Sequence, residues 1–230
     1  MGTYIIHGMQ TAAGLLSRRP HKQPPSVTLG DPDIALALGR LHELCGPARR
    51  TLALALAARA GSPVIWITTP GNPGTLNPDG ILEWINPSDL LFVRTGRAAD
   101  ALWAMEEALR AGCAPLVVAD LLTPPAMTPV RRLHLAAETG CGMGQCRPLG
   151  VLLTPEDGGA AGIETRWSLH PAHTGATRRW ALKRLRARMA PPRDWILEHR
   201  PSGLAPNPRA HAPLPDAAHH STEPQRETVS

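Results

Sequence analysis

The chain has 230 residues, enough for one substantial α/β domain built on a single core. Its first residues hold no positively charged region followed by an apolar run, and no stretch reaches the roughly 18 apolar residues of a membrane span, so a cytoplasmic protein with no membrane contact is expected. The net charge is +5, yet residues 177–200 alone hold eight Arg or Lys against Asp194 and Glu198, so the basic character is local and the remainder is slightly acidic.

Residues 1–29 mix "SRRPHKQPPS" with short apolar pieces and show no sustained period, which predicts a loosely ordered N-terminal arm, with the core beginning near Gly30. Leu41–Leu44 reads as a short strand, followed by a Gly46-Pro47 turn. Ala53–Ala60 is helical by propensity, because Ala and Leu lose little side-chain freedom in a helix, and Gly61-Ser62-Pro63 stops it. Val64–Ile67 is a short β-branched run of the kind that suits a strand covered on both faces.

"TTPGNPGTLNPDG" is a loop by its Pro, Gly and Asn content, and "ILEWINPSD" predicts a short helix ending before Pro87. Leu90–Val93 follows as a second buried-strand candidate. Over Ala98–Ala111 the spacing of Leu102, Met105 and Leu109 predicts an amphipathic helix, leaving Asp100, Glu106, Glu107 and Arg110 to solvent and giving Trp103 and Trp66 packing roles. Gly112 closes that helix, and Leu116–Ala119 is a third strand ending at Asp120. A helix through "PVRRLHLAAET" and a fourth strand in "GVLLT" complete an alternation that predicts a mainly parallel sheet with right-handed crossovers.

Residues 178–189 are ambiguous. With a period of 3.6 they stripe Leu182, Leu185 and Met189; with a period of 2 they put Trp180 and Leu182 on one face, continued by Arg184, Arg186 and Arg188. Either way Arg178, Arg179, Lys183, Arg184, Arg186 and Arg188 form a cationic strip, a candidate contact for an acidic partner or, weakly, for single-stranded DNA, with a solvated basic face as the plainer alternative. From Pro201 to Ser230 large apolar residues almost vanish, so a disordered tail is expected.

Few residues suggest catalysis. The cysteines Cys45, Cys113, Cys141 and Cys146 are scattered, and the C-x4-C of "CGMGQC" lacks the second pair of a zinc site, so no metal and no cofactor are expected. His42 beside Glu43 has no nucleophile at a recognisable spacing and reads as a hydrogen-bonded structural pair.

The order of these elements and several short strings resemble the RecA superfamily, and within it the ImuA-type RecA-like proteins of bacterial damage-induced (SOS) mutagenesis. The strings are "GRLHELCGP" with His42-Glu43, "DLLFVRTGRAADALWAMEEALRAG", "RRLHLAAE" and "TRWSLHP", and the likeness covers roughly residues 27–200. The resemblance implies a RecA-like three-layer α/β core over residues 30–200, with an antiparallel C-terminal edge hairpin turning at Ala190-Pro191-Pro192 and returning through Trp195 and Leu197.

It also implies a degenerate nucleotide site at Gly46, Pro47, Arg49, Arg50, Thr51 and Asp120. Where G-x-x-x-x-G-K-[ST] would cradle phosphates, the chain reads "GPARRTL", with neither a second glycine nor a lysine. The catalytic glutamate of such recombinases is replaced by Thr68-Thr69-Pro70. Asp120 stands where a magnesium-facing carboxylate would be, although such a residue equally caps the following loop. The implied role is non-catalytic: an accessory protein in translesion synthesis, with an ImuB-like Y-family polymerase homologue and an error-prone DnaE-type polymerase as partners, and RecA as a further candidate. A SulA-type cell-division inhibitor and a RecA-like ATPase with an atypical site are the alternatives.

Overall fold

A computed structural model describes residues 24–69, 71, 76–201 and 203–208. The expected arm at 1–23, the remainder of the 70–75 loop, including Pro70, and the tail from 209 onward lie outside the described residues.

A nine-stranded sheet runs in the order β11-β10-β9-β8-β3-β7-β6-β4-β5. The strands β3 (Leu41–Cys45), β4 (Val64–Thr68), β5 (Leu90–Arg94), β6 (Leu116–Asp120), β7 (Leu149–Leu153) and β8 (Thr165–Pro171) pair in parallel. Beyond β8 the pairing turns antiparallel through β9 (Arg179–Ala187), β10 (Arg193–Arg200) and β11 (Gly203–Pro206). This is the α/β class expected, with a mainly parallel sheet, an antiparallel C-terminal edge and the layout of a RecA-like core. Of the two readings of residues 178–189 the strand is found, over Arg179–Ala187, with the turn through Ala190-Pro191-Pro192 into β10 that the resemblance implied.

Helices cover both faces. Helix α1 (Arg49–Ala60) packs on one face against β3, β6, β7 and β8. Six successive residues, Leu52 to Ala57, are buried, which a helix on a sheet alone would not show. Its outer side is covered by a two-stranded antiparallel hairpin, β1 (Ser26–Thr28) and β2 (Ala35–Ala37). Helices α3 (Ala98–Ala111) and α4 (Met127–Met143) lie on the opposite face and against each other. A Cβ on Gly140 would sit 2.0 Å from the Leu109 carbonyl oxygen, so the close crossing of α3 and α4 requires glycine there. Between β4 and β5, the helix α2 (Pro78–Leu82) lies earlier and runs shorter than the helix expected before Pro87, and a separate 3-10 turn follows at Pro87–Asp89.

Two cores result. Leu44, Leu52, Leu56, Trp66, Val118, Val151, Trp167, Leu182 and Leu197 fill the α1 side. Leu41, Ile67, Met105, Leu109, Val117, Leu133 and Leu152 fill the α3/α4 side. Among the described residues no helix is long and apolar enough to cross a membrane.

Both domain limits move outward. Residues 26–29 belong to the fold, since Val27 and Leu29 are buried beneath the hairpin, and residues 203–206 form an edge strand that buries Leu204. Other expectations fail for local reasons. Trp103 is 62% exposed, because Ala101, Met105 and Leu109 form the inward stripe and leave position 103 on the opposite side of α3. Glu106 is buried rather than solvated, held by Arg110 and by Arg132 of α4. β5 is an edge strand, so Leu91 and Phe92 are exposed.

Candidate functional site

The residues that the resemblance assigns to a degenerate nucleotide site lie at the C-terminal ends of the parallel strands, where β3 passes through Gly46 into α1. Gly46 has φ +81°, and a Cβ there would press within 2.8 Å of the Leu169 carbonyl oxygen and 2.9 Å of Ser168 Oγ, so glycine is needed for β8 to lie this close. A phosphate loop works by converging free backbone N–H groups on an anion. Here the Gly46 N–H donates to the Glu156 carbonyl (2.8 Å), the Ala48 N–H to the Leu169 carbonyl (3.0 Å) and the Arg49 N–H to the Gly46 carbonyl (3.3 Å), while Pro47 has none. Every backbone donor from Gly46 to Arg49 is bonded within the chain or missing. Arg49 Nη1 also turns back to the Gly46 carbonyl, and Thr51 is half-buried in the first turn of α1.

Arg50 and Asp120 meet. Arg50 Nε donates to Asp120 Oδ2 at 2.6 Å, and Asp120 is almost fully buried at the end of β6. The carboxylate that the resemblance places toward magnesium is held by a guanidinium of the same chain. Thr68, in register with Asp120, supplies no second carboxylate. The residues present therefore do not fit a magnesium nucleotide. Among the described residues no cluster of three or more His, Cys, Asp or Glu could hold a metal ion.

His42 and Glu43, expected to pair, point to opposite faces of β3. His42 lies between Thr165 Oγ1 (2.7 Å from Nδ1) and the Ala37 carbonyl (3.0 Å from Nε2), and the Trp167 indole N–H donates to Thr165 Oγ1 at 2.6 Å. Burial lowers the His42 pKa from 6.5 to about 4, so the ring is neutral, donating from Nε2 and accepting at Nδ1.

Glu43, fully buried, organises the opposite side. Its Oε1 accepts from Thr154 Oγ1 (2.7 Å) and from the backbone N–H groups of Gly159 (2.8 Å) and Ala160 (3.0 Å), and its Oε2 meets Arg166 Nε at 2.5 Å. The β7–β8 loop, whose Glu156 carbonyl accepts from the Gly46 N–H, is thus tied to β3. Nearby, burial raises the Cys45 thiol to about 11, making it a poor nucleophile.

The cationic strip is largely engaged. Arg178 pairs with Glu83 (2.7 Å) and Arg179 with Glu198 (2.8 Å). Arg184, predicted as a surface contact, is buried. Its Nε donates to the Pro191 carbonyl and its Nη1 to the Asp33 carbonyl, and its guanidinium lies 5.6 Å from the Trp167 ring centroid and 5.3 Å from that of Trp195. A β-bulge separates it from its expected neighbours. Trp167 pairs with Arg184 and Arg166 with Arg186, so Leu185 is the extra residue and the side-chain alternation slips there. Arg184 therefore shares the α1 face with Trp180 and Leu182, while Arg186 shares the other face with Lys183. Of the exposed or half-exposed cations of the strip, Lys183, Arg186 and Arg188 make no ion pair among the described residues, and buried Arg184 is held by backbone carbonyls instead. Trp180, at 4% exposure and edge-on to Trp84 and His173, is a core residue.

Sequence reasoning missed Glu43 with Arg166, and Arg184 with its two tryptophans. For Glu43 the available signal was a carboxylate inside a short strand that is otherwise apolar but for its neighbour His42; for Arg184, in a strand with three other cations, there was none. No protein-family model matches this chain, and no curated protein matches it.

Proposed function

We propose that this chain is a non-catalytic, ImuA-type RecA-like accessory protein of SOS-induced error-prone translesion DNA synthesis, working by binding other proteins. The observation that carries the reading is the closed nucleotide position. The backbone donors of the Gly46 loop are bonded within the chain, and Arg50 is paired with Asp120, the carboxylate that the resemblance would turn toward magnesium. Phosphoryl transfer depends on positioning and electrostatic stabilisation, and the groups that would supply both are engaged elsewhere.

The cationic strip favours proteins over DNA. A phosphate-binding groove needs several free cations aligned along one surface, whereas here one is buried, two are paired and the remaining three lie beyond a bulge or across from Asp194. The partners are an ImuB-like Y-family polymerase homologue and an error-prone DnaE-type polymerase, with RecA as a third.

The test has two arms on the full chain. Magnesium-dependent phosphate release from ATP should equal that of an Asp120→Ala control, and release above the control would overturn the non-catalytic reading. Purified ImuB-like protein should bind the chain directly, and binding to neither polymerase component nor RecA would overturn the accessory role.

A further inference from the structure

Opposite the Gly46 loop, where β6 and β7 begin, a cleft of about 440 Å³ opens between the β1–β2 hairpin, the last turn of α1 and the segments leading into β6 and β7. Backbone hydrogen bonds fix its walls. The Leu38 N–H donates to the Pro25 carbonyl (2.8 Å), the Gly39 N–H to the Pro148 carbonyl (2.8 Å), the Leu149 N–H to the Pro115 carbonyl (2.9 Å) and the Cys146 N–H to the Gly112 carbonyl (3.1 Å). The cleft is thus preformed, and its size falls within the range of small-molecule sites, about 300–1,000 Å³.

Its lining has a charged part and an apolar part. Arg59 and Arg147 both line it, and no Asp or Glu does. Arg59 sits in the last turn of α1, where it offsets the roughly half elementary negative charge of the helix end. Arg147 is exposed and makes no ion pair among the described residues, so its guanidinium leaves the cleft positive. Residues 1–23, which lead toward β1, contain no Asp or Glu, so that flanking segment brings no counter-charge. Ser26 and Thr28, also exposed, bring hydroxyl groups to the same rim. Two guanidiniums and two hydroxyls match the charge and the terminal oxygens of a phosphate monoester, which Arg holds bidentately. A water takes up only about 30 Å³ of liquid, so the space exceeds what a bare phosphate needs. Val27, Leu38 and Pro115 line the rest and suit an organic body attached to the phosphate. We propose that this cleft binds a small organic phosphate monoester, its phosphoryl group at Arg147 and Arg59 and its apolar part against Val27, Leu38 and Pro115. The site is separate from the Gly46 and Asp120 residues, and it stands whether or not the functional proposal does.

The test uses the full chain with phenyl phosphate as the probe. Titration calorimetry should give a single site with a dissociation constant below about 1 mM, a modest affinity set by cations that stay open to water. Arg147→Gln should weaken binding by about tenfold or more and leave the thermal midpoint of the unliganded chain unchanged, since Arg147 is exposed and unpaired among the described residues. Cys146, half-buried in the lining, reports the place: phenyl phosphate should slow its alkylation by iodoacetamide and leave that of exposed Cys113 unaltered. Inorganic phosphate and benzoate, each lacking one half of the ligand, should bind more weakly. No binding, equal binding by Arg147→Gln, an unprotected Cys146, or equal affinity for inorganic phosphate or benzoate would each overturn the proposal. Should the variant fold poorly, the alkylation of Cys146 in the unaltered chain decides.

Discussion

The sheet is held together in two ways. From β5 to β8 the strands are parallel and helices cover both faces; the cores are chiefly aliphatic as far as β8, with Trp66 the one large aromatic of β3, β4, β6 and β7, and Trp167 of β8 marking the border. From β9 to β11 no helix packs on the α3/α4 face, and the other face meets chiefly the β1–β2 hairpin and the 78–89 segment, with α1 reaching only β11. Trp167, Trp180 and Trp195 fill that second region, with Arg184 lodged between two of them and the Arg179–Glu198–Asn207 and Arg193–Asp33 contacts binding its rim. A two-sided helical cover buries enough apolar area for ordinary aliphatic strands to suffice. A cover of two three-residue strands brings few apolar atoms, so wide aromatic rings and a guanidinium with fixed hydrogen bonds do the joining.

The largest test of this contrast falls on the seam between the two regions, at β3–β8. Glu43→Gln should cost about 3–5 kcal/mol, because Arg166 is left without its buried counter-charge and the β7–β8 loop loses its anchor. Urea unfolding measures it, and a cost under about 1 kcal/mol would mean that the seam does not depend on this pair.

Next in size is the acid response of the same seam. His42 protonates near 6.5 in the unfolded chain and about 4 in the fold, so the unfolded state takes up the proton first as pH falls. Stability should be complete above about pH 6.5 and drop by about 3 kcal/mol toward pH 4. His134, also lowered by burial, adds to the same slope. His42→Gln should flatten the profile, and an unchanged slope would assign it to other groups.

A chain ending at Arg200 should lose about 1.5–3 kcal/mol, the burial of Leu204 together with β11 pairing. No loss in thermal unfolding would make β11 an ornament on the antiparallel region. Smallest is the joint change of Lys183, Arg186 and Arg188 to Gln, expected within about 0.5 kcal/mol of the parent, since these cations make no ion pairs among the described residues. Single-stranded DNA binding should be weak both before and after the change. Tight, salt-sensitive binding abolished by this variant would turn the open side of β9 into a nucleic-acid surface.

The same contrast explains what could be read from residues alone. Val64–Ile67, Leu90–Val93 and Leu116–Ala119 are uninterrupted apolar runs, and all three are strands of the parallel region. Which of them lies at the edge is set by strand order, a long-range property, and so Leu91 and Phe92 look interior. Trp103 misleads because α3 turns the small Ala101 inward, and alanine marks a helical face faintly. In the antiparallel region, Arg184 looks like every other arginine of its run until the Leu185 bulge is known, and nothing local announces a bulge. The β1–β2 hairpin did leave a trace: Val27, Leu29, Ile34 and Leu36 alternate around Asp31-Pro32-Asp33. Three-residue strands are too short for that alternation to stand out. At the candidate site, the missing loop and the lone Asp120 were legible, whereas the partner of Asp120, 70 positions away, was not.

The Arg50–Asp120 contact changes what keeps such a domain folded inside a cell. A protein whose strand ends are joined by a bound nucleotide gains stability by mass action, growing with the logarithm of free ligand over its dissociation constant. Here the cross-link is part of the chain, at a fixed one-to-one ratio that no metabolite pool can alter. The abundance of this protein should then stay level when a starved or damaged cell runs short of ATP.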